Sequence, residues 1–237
     1  MAIGIGIGLP FRRTTTPAVP SGLSASFTVD TISGDLTWTD NTGEVAQYEI
    51  YSSYNGNSYV YLGTTTAGAT SYSDTTCKQN ASVVYKIRAK YYSLYSEYIT
   101  SSVVITPLCW KTDQADRIDV VINSLKIASE KTVTINWGDG TSNSYTGSNT
   151  NITKSYSASE VNVFNIAISG DVNFITEFQH YTQLKSYGNI TNWLLPSSMI
   201  LFNIQTTGFT SDISGWVLPS TLRYFYVNST QVSVAIS

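Results

Sequence analysis

The chain has 237 residues, enough for one large domain or two to three small ones, each with a modest core. Charged residues make up only 12% of it against 42% hydrophobic, with 17 tyrosines and a net charge of -3. That balance excludes a basic nucleic-acid-binding face and a disordered chain, and it favours strands and turns, because β-branched and aromatic side chains fit a pleated surface.

No apolar run reaches the length of a membrane-spanning helix, so no membrane insertion is expected. Arg12 and Arg13 follow the first apolar stretch instead of preceding it, which does not read as a secretion signal. A particle released by lysis is one route out of a cell that needs none. The two cysteines, Cys77 and Cys109, lack metal or redox spacing; they form one disulfide in an oxidising compartment or stand as two unrelated thiols.

Residues 1–16 read as an arm and linker. Alternation puts Ile3, Ile5, Ile7 and Leu9 on one face of an extended strand, with Gly4 and Gly6 on the other. A glycine face allows very close approach of another backbone, which suits a strand added to a partner; a loose tail is the plainer alternative.

Residues 17–107 carry short strands at regular spacing. Leu36-Thr37-Trp38 is one, and Gln47–Tyr54 alternates with Tyr48 and Ile50 on one face. Asn55-Gly56-Asn57 makes a hairpin turn and Ser58–Thr64 returns. Val83, Tyr85, Ile87 and Ala89 share a face of the next strand, and Ile99–Thr106 closes the sheet. With Pro17, Pro20 and Leu23 at the start and Thr70-Ser71-Tyr72-Ser73-Asp74 between, this segment resembles a fibronectin type III domain. The resemblance implies a β-sandwich in which Trp38 and Tyr85 are core residues.

Residues 108–172 are expected to form a second sandwich. Arg117–Ile127 fits either a strand or a helix face, and its β-branched content favours the strand. Thr132–Trp137 alternates into Gly138-Asp139-Gly140, a tight turn in which Asp139 is better read as a backbone cap than as a metal ligand or acid. The Trp-Gly-Asp-Gly-Thr run, the later Tyr156 and the strand ending Ile168-Ser169-Gly170 resemble a polycystic-kidney-disease (PKD) type sandwich. Lys154 stands where that family usually has a histidine.

Residues 173–237 contain an internal repeat. Ile190, Trp193, Pro196, Phe202 and Ile204 match Ile213, Trp216, Pro219, Phe225 and Val227, always at the same offset. A period of this length marks a solenoid whose coils must stack to bury their apolar sides. The pattern resembles leucine-rich repeats, with Phe202-Asn203-Ile204 and Phe225-Tyr226-Val227 as parallel strands. Two coils and a fragment are few, so the uncapped end is expected to meet another subunit or another protein. The whole is an all-β chain: a type III sandwich, a PKD-like sandwich, then a short leucine-rich-repeat-like β-solenoid.

Chemistry finds little footing. His180 is the single histidine, no zinc-type cluster or phosphate loop is present, and Asp113, Asp116 and Asp119 lack the pattern of a calcium loop. No catalytic, metal or cofactor-binding residues are therefore expected. Binding is easier to motivate: tyrosines among Ser, Asn and Gly suit adaptable recognition surfaces, with Tyr54, Tyr59, Tyr92 and Tyr95 as candidate surface aromatics. Leader, modules and repeat together resemble head-fibre, tail-fibre or capsid-decoration proteins of tailed phages that infect Bacteroidetes. That resemblance implies a virion protein anchored to other virion proteins by its arm, homo-oligomeric, and able to meet host glycans. A bacterial surface adhesin or polysaccharide-binding protein is the alternative.

Overall fold

The first ninety described residues form two facing sheets because their strands alternate so cleanly. The computed structural model describes residues 15–43, 46–113, 119–156, 163–228 and 232–233; the expected arm with Ile3, Gly4, Ile5, Gly6, Ile7 and Leu9 lies outside them. The strands are β1 (Ser21–Thr28), β2 (Ser33–Thr39), β3 (Gln47–Tyr54), β4 (Val60–Thr64), β5 (Ser71–Asp74), β6 (Ala81–Tyr91), β7 (Leu94–Tyr95), β8 (Ile99–Thr100) and β9 (Val104–Thr106). One sheet has the order β1-β2-β5; the other runs β4-β3-β6-β7, with β8 and β9 also on β6. Two sheets of this kind are the β-sandwich that the type III resemblance implies.

Period two on β6 buries Val83, Tyr85, Ile87 and Ala89, which meet Leu36, Trp38, Tyr48 and Ile50 in a common core. Asn55 and Gly56 both take positive φ, and the Asn57 N–H bonds the Tyr54 carbonyl at 3.0 Å. A right-twisted hairpin demands that turn, which is why Asn-Gly occupies it. Gly34 is fixed by packing instead: a Cβ there would lie 2.0 Å from the Tyr85 hydroxyl.

Pro107 alone separates β9 from β10 (Leu108–Asp113). There follow β11 (Val120–Ile127), β12 (Thr132–Asn136), β13 (Ser142–Thr146), β14 (Ser148–Lys154) and β15 (Val163–Gly170). The coils supply β16 (Ile175–Gln179), β17 (Ser186–Asn189), β18 (Leu201–Asn203), β19 (Gly208–Asp212), β20 (Tyr224–Tyr226) and β21 (Val232–Ser233). Two sheets result, ordered β13-β12-β15-β10-β17-β19-β21 and β14-β11-β16-β18-β20.

Each coil thus gives one strand to each sheet, and the coil strands pair parallel while the earlier ones pair antiparallel. Both sheets pass from one pairing mode to the other without a gap, through β10–β17 and β11–β16. Val172 and Ile175, on either side of the boundary expected at 172–173, are buried in the same core cluster.

Identical residues stack where the repeat places them. Phe178, Phe202 and Phe225 lie in register, with ring centroids 6.1 and 5.9 Å apart and planes within 25°. Ser198 Oγ donates to the carbonyls of Asn173 and Ile175, and Thr221 Oγ1 repeats that bond one coil later, to Ser197 and Met199. The last coil is the least covered: Val217 is 87% exposed, and Tyr224 and Tyr226 lie at the outer strand.

The two units are joined by more than Pro107. The Gln79 N–H bonds the Asn192 carbonyl at 2.9 Å and the Leu194 N–H bonds the Gln79 carbonyl at 3.1 Å, a short parallel bridge. Gln79 Oε1 also accepts from the buried Cys109 N–H at 2.7 Å, and Asn80 Nδ2 donates to the Leu194 carbonyl at 2.7 Å. Trp193 Nε1 closes the set by donating to the Cys109 carbonyl.

Candidate functional site

The alternate positions of β6 build the most chemically distinctive surface of the first unit. While Tyr85, Ile87 and Ala89 point inward, Lys86, Arg88 and Lys90 point out. Register then fixes their neighbours: Lys86 lies opposite Tyr51, Arg88 opposite Glu49, and Lys90 opposite both Gln47 and Tyr95. On the far side of β3, Tyr51 faces Tyr61.

The rings and cations interleave. Lys86 Nζ sits 4.3 Å from the Tyr59 ring centroid, 4.2 Å from Tyr98 and 5.1 Å from Tyr51. Arg88 lies 4.0 Å over Tyr95 and 4.8 Å over Tyr98. Tyr51 meets Tyr61 and Tyr98 edge-on, at 5.3 and 5.7 Å. A cation over a ring face is drawn by the ring quadrupole, so the ladder holds itself in place.

Glu49 is the carboxylate within it. It takes two bonds from Arg88, through Nε at 2.9 Å and Nη2 at 2.7 Å, and lies 3.5 Å from Lys90. Burial pushes the Glu49 carboxyl up, but the Arg88 bonds and charge outweigh it and hold the group below the usual range. Tyr51 is pushed up to about 12, first by burial, then by Tyr98 and the Glu49 charge. Lys86 has no carboxylate within salt-bridge distance among the described residues.

Of the four expected surface aromatics, Tyr59 and Tyr95 fall on this face. Tyr92 stands apart at the β6–β7 turn, 80% exposed with φ 53° and its ring edge-on to Tyr91. Tyr54 corrects the expectation: it packs against the core and its hydroxyl donates to Asp74 Oδ2 at 3.2 Å. It shares parity with Tyr48 and Ile50, which is the signal that places it inside. Tyr51, Tyr61 and Tyr98 complete the face, together with Lys86 and Arg88, two cations that the sequence pattern had not singled out.

Groups that chemistry would draw on are placed as follows. His180 is fully buried among Trp110, Phe178 and Phe209, with Nδ1 at 2.9 Å from the Val121 carbonyl. Burial brings its pKa down to about 4, against a small upward pull from that carbonyl. Cys77 and Cys109 are both free and buried, so of the two readings the unrelated thiols hold. Burial raises Cys77 to about 11, against a hydrogen bond from Tyr85, and raises Cys109 to about 12. Asp139 caps its turn, accepting from the Thr141 N–H and hydroxyl at 2.9 and 2.6 Å, and pairs with Lys154 Nζ at 2.5 Å. Gly138 and Gly140 take the positive φ which that turn needs. Among the described residues, no group of three His, Cys, Asp or Glu side chains is placed to hold a metal ion.

No protein-family model and no curated protein matches the chain. A solved Fn3-like protein from Clostridium thermocellum is similar to part of it, at 23% identity and a TM-score of 0.33, covering 40% of this chain and 97% of that one. The strand order above makes the chain an all-β protein of several sheets with an Fn3-like domain over part of its length.

Proposed function

We propose that the chain is a non-enzymatic structural and attachment protein of a tailed-phage particle. Its N-terminal Ile-Gly segment anchors it to other virion proteins, and its β-modules project outward. In this reading the second unit is a PKD-like sandwich extended by a short leucine-rich-repeat-like solenoid, and a second copy covers the exposed last coil. The observation that carries it is the tyrosine–cation face, a half-exposed array of rings and cations on a scaffold whose two units are tied by main-chain bonds. Further support comes from His180, Cys77, Cys109 and Asp139, each engaged in packing or in a turn.

The test is immunogold electron microscopy on purified phage particles and on uninfected host cells, with antibody to residues 17–237. Gold on particles is the expected result, and its position assigns head or tail. Gold on cells alone refutes the reading in favour of a bacterial surface adhesin or polysaccharide-binding protein. Deleting residues 2–9 should abolish incorporation into particles while leaving the modules folded; normal incorporation would sink the anchoring role.

A further inference from the structure

We infer that the tyrosine–cation face binds saccharides carrying an anionic group, a carboxylate or a sulfate, with Lys86 as the residue that contacts the anion. The inference rests on the adhesive part of the reading above and names its ligand class. Three cations, Lys86, Arg88 and Lys90, line the outer side of β6. Their cross-strand register supplies one carboxylate, Glu49, and its two oxygens are engaged by Arg88 and Lys90. The ladder is therefore cationic on a chain whose overall charge is -3. Such a local excess marks an anion partner by charge complementarity.

Among the described residues, Lys86 is the cation of this ladder left without an acid. Rings of Tyr59, Tyr98 and Tyr51 surround its ammonium, and rings attract a cation without neutralising it. An ammonium has three N–H donors in total, and cation–π contact uses none of them as a directed bond. A carboxylate or sulfate approaching Nζ would add the charge-assisted bond that is missing, in a partly desolvated setting where it counts for more than in water.

The neighbours argue for a sugar as the carrier. Tyr59, beside the ammonium, is 37% exposed, and Tyr61, edge-on to Tyr51, is 51% exposed, so phenol rings of this face reach the surface. Aromatic rings supply apolar area for a sugar's C–H faces, and phenol hydroxyls supply donors and acceptors for its hydroxyls. An acidic protein segment is held chiefly by its own aliphatic or aromatic anchors, whereas here the rings belong to this face and stand beside its cations.

The experiment titrates the full-length protein calorimetrically with dextran, polygalacturonate, dextran sulfate and polyglutamate, each at low and physiological ionic strength. Polygalacturonate, dextran sulfate or both should bind, more weakly as salt rises, and dextran should not. Whichever binds assigns the anion as carboxylate or sulfate. Lys86→Met keeps the stem between the rings and should lower that affinity about tenfold, the loss of one charge-assisted bond. Lys86→Arg should retain it. Lys131→Met, which removes the same charge from the second unit, should leave binding unchanged. Dextran binding as tightly as the anionic polymers, no binding of any saccharide, or full affinity in Lys86→Met overturns the inference. Polyglutamate binding as tightly as polygalacturonate overturns it in favour of an acidic protein partner. These outcomes are independent of where gold falls, so the virion reading and the ligand class fail separately.

Discussion

Lowering the pH from 7 to 5 should destabilise the second unit through one side chain. His180 is fully buried with its pKa brought down to about 4, against 6.5 for a free imidazole. The unfolded chain takes up a proton as pH falls through about 6.5, while the folded chain refuses it until about 4. The neutral ring's contribution is therefore complete above pH 6.5 and is lost progressively below it. The full span is worth about 3 kcal/mol, and roughly 2 kcal/mol of that lies between pH 6.5 and 5.

That window is clean. The sequence holds one histidine, and the carboxylates of Asp35, Glu49, Asp139 and Glu177, all held below their ordinary values, contribute stability that disappears only at lower pH. Urea unfolding followed by tryptophan fluorescence reports it directly, because the Trp110 ring lies 5.4 Å from His180. His180→Phe should cost a constant amount, since the Val121 carbonyl loses its partner, and should abolish the slope between pH 6.5 and 5. Equal stability of the parent protein at pH 7 and 5, or the same slope in the variant, would falsify the buried neutral imidazole.

Other expectations follow from single contacts. Gly34→Ala puts a methyl where the Tyr85 hydroxyl lies and should cost about 1–3 kcal/mol, read as a lower urea midpoint for the first unit. Gln79→Ala leaves the buried Cys109 N–H without its acceptor while keeping the main-chain bridge, and should cost roughly 1–3 kcal/mol, read as a lower urea midpoint; an unchanged midpoint would show that this side-chain bond does not stabilise the junction. Phe202→Ala opens the middle of the phenylalanine stack and should cost about 3–5 kcal/mol, with amide-exchange protection lost first in the last coil. Both thiols, raised in pKa and buried, should resist a thiol reagent at pH 8 until denaturant is added, when two should react per chain; fast labelling of the native protein contradicts their placement.

The inner faces of the strands were legible because alternation depends on one residue and its neighbours. Val83, Tyr85, Ile87 and Ala89 were placed by period two alone, and the Asn-Gly turn by the φ it needs. Tyr54 was misplaced although the same parity would have placed it. The cationic ladder was half legible: the outward positions of Lys86, Arg88 and Lys90 follow from the pattern, but the approach of Tyr59 and Tyr98 depends on how β4 and the strands after β6 register against it. His180 sits between Gln179 and Tyr181 in a polar-looking stretch, and only the pairing of β16 between β11 and β18 carries it into an aromatic core. The repeat announced parallel stacking. It could not say that each coil divides between two sheets, since a hydrophobic pattern does not name the strand on which it will pair.

The bridge at Gln79 also orders events in time. The Lys78–Asn192 and Asn80–Leu194 bonds that flank it each span 114 residues, whereas every strand of the first sandwich is complete by Thr106. During synthesis the first sandwich has all its own partners before the coil that receives it has been made. Closing so long a loop carries a large entropic cost that local hairpins do not. The junction should therefore close only after the first sandwich has formed, with the polar groups of Gln79 and Asn80 hydrated until the coil arrives.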